Sequence, residues 1–173
     1  MFTDVVGYSA ASSLDEAKAL KMLDEHRKVL EGIFPRFGGT VVKTIGDGYL
    51  VEFPSAVEAV NCAVQAQKGL GEANASRNVG DKISVRIGIH VGDVVHSEGD
   101  ILGDAVNVAA RIQPLAEPGG ICLTRQVVDQ VQGKVEFRIV RLGVRELKNI
   151  RHPVELFRVE LSERMTAPGG SGA

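Results

Sequence analysis

A chain of 173 residues, 44% apolar and 24% charged with a net charge of −2, has the make-up of one soluble globular domain long enough to close a core unaided. Its two cysteines, Cys62 and Cys122, each lie in an apolar stretch and read as buried thiols, which argues against a disulfide or metal-stapled scaffold and for a reducing cytoplasm. No apolar run reaches the ~20 residues of a membrane span, no signal-peptide pattern is present, and near-neutral charge with two tyrosines and no tryptophan argues against nucleic-acid binding.

In chain order, residues 1–6 predict a strand that is short, with almost nothing before Asp4. Ser13-Leu14-Asp15-Glu16 reads as a capping box opening a helix. Ala19, Leu20, Leu23, Leu30, Ile33, Phe34 and Phe37 recur along one face of that helix until Pro35 and Gly38-Gly39 end it. Residues 40–45 and 49–53 predict a hairpin around Gly46-Asp47-Gly48. Ser55-Ala56-Val57-Glu58 is a second capping box, before an amphipathic helix through Leu70 and a loop over 71–81. Strict alternation from Ile83 to Val91 predicts a half-buried strand, and Gly92-Asp93 a tight turn leading back through Val94 and Val95. Residues 105–115 predict a third helix, 121–124 a strand, 125–132 a helical turn, and 135–139 and 153–161 two further strands. The segment from Ser162 to Ala173 lacks apolar anchors and reads as a disordered tail after a domain of residues 1–161. The order implies an α+β fold with a ferredoxin-like sheet: a βαββαβ core, extra C-terminal strands, and helices covering one face.

Asp4 and Asp47 each stand at a strand end beside glycine, and in a split β-α-β core the two strands concerned are neighbours. The pair could therefore serve one hard divalent cation, although Asp-Gly is also what such a turn needs on its own account. Asn107 and Arg111 are four apart on the third helix, opposite Val108, Ile112 and Leu115, with small Ala105, Ala109 and Ala110 beside them. That face suits either a phosphate-binding guanidinium or plain solvation. From Lys134 to Arg158 seven basic residues face three acidic ones, most of them on the solvent side of strands. His26, His90, His96 and His152 show no ligand spacing and read as structural or exposed.

Three segments together, Phe2-Thr3-Asp4-Val5-Val6-Gly7-Tyr8-Ser9, Lys43-Thr44-Ile45-Gly46-Asp47-Gly48 and Gly103-Asp104-Ala105-Val106-Asn107-Val108-Ala109-Ala110-Arg111, resemble in order and spacing the signature blocks of class III nucleotide cyclase catalytic domains. The resemblance implies that Asp4 and Asp47, with the Val5 carbonyl, hold two Mg²⁺ or Mn²⁺ ions. It implies that Lys43 and Asp100 read adenine, with Asp104 a second acidic candidate nearby, so that ATP is the substrate and 3′,5′-cyclic AMP and pyrophosphate the products. Asn107 would orient the ribose and Arg111 meet the charge growing on the α-phosphate. Lys148 would bind the triphosphate, in a segment where Asn149 stands in place of the family's usual glycine. A head-to-tail homodimer with two equivalent sites is implied, as are regulatory domains outside this chain. A guanylyl cyclase and a nucleotide-binding regulatory domain are the competing readings. Family members usually carry several apolar residues before the position of Phe2, so the first strand is expected to be less stable, or its metal site weaker, than in an extended form.

Overall fold

The computed structural model describes residues 1–161; the tail expected from Ser162 onward lies outside the described residues. A seven-stranded sheet runs in the order β2-β3-β1-β4-β7-β9-β8, where β1 is Phe2–Val5, β2 Thr40–Ile45, β3 Gly48–Glu52, β4 Val85–Ile89, β7 Ile121–Thr124, β8 Ile139–Arg145 and β9 Val154–Val159. The first four strands, with their two helical crossovers, make the expected βαββαβ core, and the C-terminal strands extend it beyond β4. β1, the shortest stretch of that core, lies inside the sheet between β3 and β4, with the Met1 amino group donating to the Val51 carbonyl at 2.9 Å.

Successive strand residues point to opposite faces, and here they feed two separate apolar clusters. Val5, Val51, Ile87, Ile121, Leu123, Phe157 and Val159 join the larger core, built with α2 (Glu16–Ile33), α3 (Ala56–Asn74) and α5 (Arg125–Val131). Cys122, Val154 and Leu156 point the other way and meet Val108 and Ile112 of α4 (Asp104–Ile112). Helices thus cover both faces, which corrects the one-face expectation. The opposite-face contact is close: a Cβ on Gly88 would stand 2.7 Å from the backbone of Gln113, so β4 needs glycine there to let the end of α4 settle against it.

The start of α2 differs from the sequence reading. Asp15, not Ser13, is the N-cap, accepting from Lys18 N at 2.9 Å, while the Ser13 hydroxyl donates to the Ser9 carbonyl inside α1 (Tyr8–Leu14). α1 gave no signal in the sequence because it buries nothing: its apolar Leu14 is exposed, so no periodicity exists to read. The second cap holds as predicted, with Ser55 accepting from Glu58 N at 3.2 Å. The predicted turn back through Val94 and Val95 is replaced by a separate two-stranded ribbon, β5 (Val95–Ser97) and β6 (Asp100–Leu102), closed by Glu98 and Gly99 at φ 48° and 81°. α4 stops at Ile112, and a 3-10 turn through Pro114 leaves Leu115 exposed. The strand expected from Val135 begins only at Ile139.

Candidate active site

The hairpin tip between β2 and β3 is pinned to the end of β1. Asp47 Oδ2 accepts from Val5 N at 3.1 Å, and Tyr49 N donates to Thr3 Oγ1 at 3.0 Å. The approach is so tight that a Cβ on Gly48 would lie 1.9 Å from the Thr3 carbonyl oxygen, which gives the glycine after Asp47 a role besides the turn. The two carboxylates are therefore brought together as the sequence suggested. Burial, then the like charge of Asp47 and a hydrogen bond to it, push the Asp4 carboxyl up to about 6, against a smaller downward pull from Arg86.

Such a donor set fits a hard divalent cation. Two crowded carboxylates repel until a positive charge comes between them, and oxygen is the ligand Mg²⁺ and Mn²⁺ prefer. Among the described residues no group of three or more His, Cys, Asp or Glu side chains gathers to hold a metal. Further oxygens would have to come from backbone, water or a substrate phosphate, the usual arrangement for Mg²⁺.

Arg86 escaped the sequence reading, since an arginine in an alternating strand looks like an ordinary solvent-facing charge. It pairs directly across from Asp4 on β4, and its Nε is buried with no hydrogen-bond partner. Nothing in the period-two pattern of β4 separates Arg86 from such a charge.

Lys43 on β2 meets Asp100 on β6, Nζ to Oδ2 2.5 Å. The other carboxylate oxygen accepts from Ile101 N at 2.8 Å, and these two contacts hold the Asp100 carboxyl below its ordinary range. Lys43 thus reaches Asp100 rather than Asp104, which opens α4 on its exposed side. Next to Asp100, through Ile101, lies a cleft of about 280 Å³ whose walls mix apolar Leu50, Ile89 and Val106 with polar Glu52 and His90. Asn107 and Arg111 are both exposed on α4, opposite buried Val108 and Ile112. Lys148 is exposed in the loop between β8 and β9. The residue after it, Asn149, has φ 63°, a left-handed conformation that asparagine tolerates better than most residues and glycine adopts freely.

Strand directions separate these groups. β4 is antiparallel to β1, β7 parallel to β4, and β9 antiparallel to β7, so β9 runs in the same direction as β1. Asp4 lies toward the C-terminal end of β1, whereas Lys148 precedes the N-terminal end of β9. Within one chain they stand at opposite ends of the sheet, with β4 and β7 between.

Residues 1–160 match the family model of the adenylate and guanylate cyclase catalytic domain, and the chain belongs to that family. It is a class III nucleotide cyclase domain, adenylyl or guanylyl. A relative from Rhizobium meliloti (strain 1021), named "Putative adenylate cyclase 3", is 38% identical over 95% of this chain, which spans 28% of that protein's length. The crystal structure of an adenylate/guanylate cyclase/hydrolase from Silicibacter pomeroyi superposes with TM-score 0.83 at 36% identity, covering 91% of this chain and 92% of that one. That of the guanylyl cyclase Cya2, at 24% identity and TM-score 0.77 over 91% and 88% of the two chains, shares the fold.

Proposed function

We propose that this domain is an adenylyl cyclase, converting ATP to 3′,5′-cyclic AMP and pyrophosphate at a site shared by two copies of the chain. The observation that carries the reading is the Lys43–Asp100 ion pair at 2.5 Å, next to a cleft of mixed polarity that Ile101 and Leu50 help to line. A lysine donates to adenine N1 and an aspartate accepts from the 6-amino group, whereas guanine carries a protonated N1 and a 6-oxo group and would meet the wrong partner at each atom. The apolar part of the cleft, Leu50, Ile89, Ile101 and Val106, is suited to the faces of the base.

Asp4 and Asp47, with the Val5 carbonyl, would hold Mg²⁺ or Mn²⁺, two ions per site. Such ions would supply charge neutralisation of the triphosphate and a lowered pKa for the ribose 3′-hydroxyl. Asn107 orients the ribose so that O3′ faces the α-phosphorus in line with the departing pyrophosphate. A bond forms from O3′ to the α-phosphorus as the bond to the bridging oxygen of pyrophosphate breaks. Arg111 offers its planar fork to the charge that grows on the α-phosphate oxygens, where a preset donor acts most strongly. Lys148 and, from the partner copy, Arg86 would bear on the triphosphate. The buried, unpartnered Nε of Arg86 supports that role.

The opposite-end arrangement of Asp4 and Lys148 supports a head-to-tail pair, in which one copy's carboxylates and the other's Lys43, Asp100, Asn107, Arg111 and Lys148 enclose one ATP. Exposed Val41 and Ile45 on β2, with Val95 and Leu102 on the ribbon, offer apolar surface for the second copy. The test is purified protein with Mn²⁺ and either ATP or GTP, products separated by chromatography and Asp47→Ala as control. Cyclic AMP that disappears in the control is expected. Cyclic GMP would reassign the purine, and no product from folded dimer would favour a nucleotide-binding regulatory domain.

A further inference from the structure

The ribbon β5–β6 carries Asp100 but belongs to neither main layer; it is a two-stranded sheet of its own, three residues to a strand. Its apolar hold is small. Ile101 is buried, while Val95 and Leu102, paired with each other across the ribbon, are exposed. Two polar contacts tie it to the β2–β3 hairpin. One is Lys43–Asp100; the other is from His96 Nε2 on β5 to Glu52 Oε2 at the end of β3, 3.0 Å.

The register shows how the two ties divide the work. His96 pairs with Ile101, so both leave the same face of the ribbon; Ile101 is buried there, and His96, largely exposed, reaches Glu52. On the hairpin, Lys43 pairs with Leu50, and Glu52 lies two residues further along β3, a displacement of roughly 7 Å. A ribbon held at one point can pivot about it, whereas a second point some distance away fixes its orientation. On the adenine reading, the Lys43–Asp100 tie is also the one that substrate would disturb. With lysine and aspartate turning hydrogen bonds to a purine, their mutual contact would loosen, and His96–Glu52 would be the polar tie that remains.

We propose that Glu52 and His96 are a positioning pair for purine selection: they hold the ribbon so that the Asp100 carboxylate meets the exocyclic group of the base. His96 lies outside the cleft and acts through Asp100; Glu52, itself on the cleft wall, is its anchor on the hairpin. This rests on the reading of Lys43 and Asp100 as the adenine-reading residues.

The experiment compares wild type, His96→Ala and His96→Gln. Glutamine retains an N–H donor for Glu52 without the imidazole. Steady-state kinetics with Mn²⁺-ATP and Mn²⁺-GTP are combined with amide hydrogen exchange over residues 95–102. For His96→Ala, KM for ATP should rise about two- to fivefold, the scale of one exposed hydrogen-bonded pair. The ATP-to-GTP preference should fall by a like factor, kcat should stay near wild type, and the ribbon amides should exchange faster. His96→Gln should recover most of each loss. Unchanged kinetics and exchange in His96→Ala would overturn the proposal, as would equal impairment in both variants. If wild type prefers GTP or makes no cyclic product, the adenine reading fails instead, and hydrogen exchange still decides whether His96 tethers the ribbon.

Discussion

At the scale of single residues, the pair of carboxylates beneath the hairpin tip sets a pH dependence with a definite sign. The Asp4 carboxyl is pushed from 3.8 to about 6 in the folded chain, so the folded state binds its proton more tightly than the unfolded state does. The stability this contributes is fully present below about 4 and is lost as pH rises through about 6. Metal-free wild type should therefore lose melting temperature relative to Asp4→Asn between pH 4 and pH 7, and Asp4→Asn should be the more stable at pH 7.5. Mn²⁺ should reverse that order, raising the wild-type melting temperature at pH 7.5, far less at pH 5, and leaving Asp4→Asn nearly unmoved. Thermal melts of both proteins across pH, with and without Mn²⁺, test this. Asp4 and Asp47 were legible in the sequence because glycine and strand ends flank them. Arg86 was not, since nothing in a period-two pattern tells a cross-strand neighbour of Asp4 from a charge in water. The left-handed Asn149 resolves a discrepancy in the same way: the backbone requirement is met, so the missing glycine costs the Lys148 loop little.

Among the elements, a buried face made most of them readable, while β2, exposed along nearly its whole length, was readable from its β-branched residues and the glycine turn that follows it. α2, α3 and the strands of the core carry apolar residues at the right period, while α1 and the ribbon bury too little to leave one. The α2 cap shows a second limit. Ser13 and Asp15 are both good caps, and the choice went to Asp15 because Ser13 is already taken up in α1, bonded to Ser9. Asp15→Ala should cost about 1 kcal/mol in denaturant unfolding and Ser13→Ala only a few tenths. The reverse order would restore the predicted capping box. α2 also buries His26 entirely against the Tyr49 ring, centroids 5.8 Å apart, and burial drives that imidazole down to about 4, so it is neutral at physiological pH. Of the two roles its spacing leaves open, structural or exposed, His26 thus takes the structural one.

For the whole molecule, the ferredoxin-like order of strands followed from the alternation of elements, but the second face of the sheet did not. Cys122, Val154 and Leu156 read as ordinary core residues, and only the tertiary structure divides them from Ile121, Leu123 and Phe157. The division decides where α4 lies and hence which way Asn107 and Arg111 look. Under the proposed head-to-tail pairing, Asp47→Ala and Arg111→Ala should each be inactive, yet a mixture should regain up to about a quarter of wild-type activity. Random pairing makes half the dimers mixed, each with one intact site of two. Activity assays on mixtures, with native mass spectrometry to prove heterodimers, test this, and mixtures that stay inactive would count against shared sites.

The common direction of β1 and β9 also bears on how output scales with the amount of protein. If no chain holds a full site, turnover is carried by pairs, and wherever most chains are single the rate grows with the square of their concentration. Halving the supply of chain would then cut cyclic nucleotide production to a quarter. Any neighbouring segment that brings two chains together would act as a gain control on the signal, with no need to touch the chemistry.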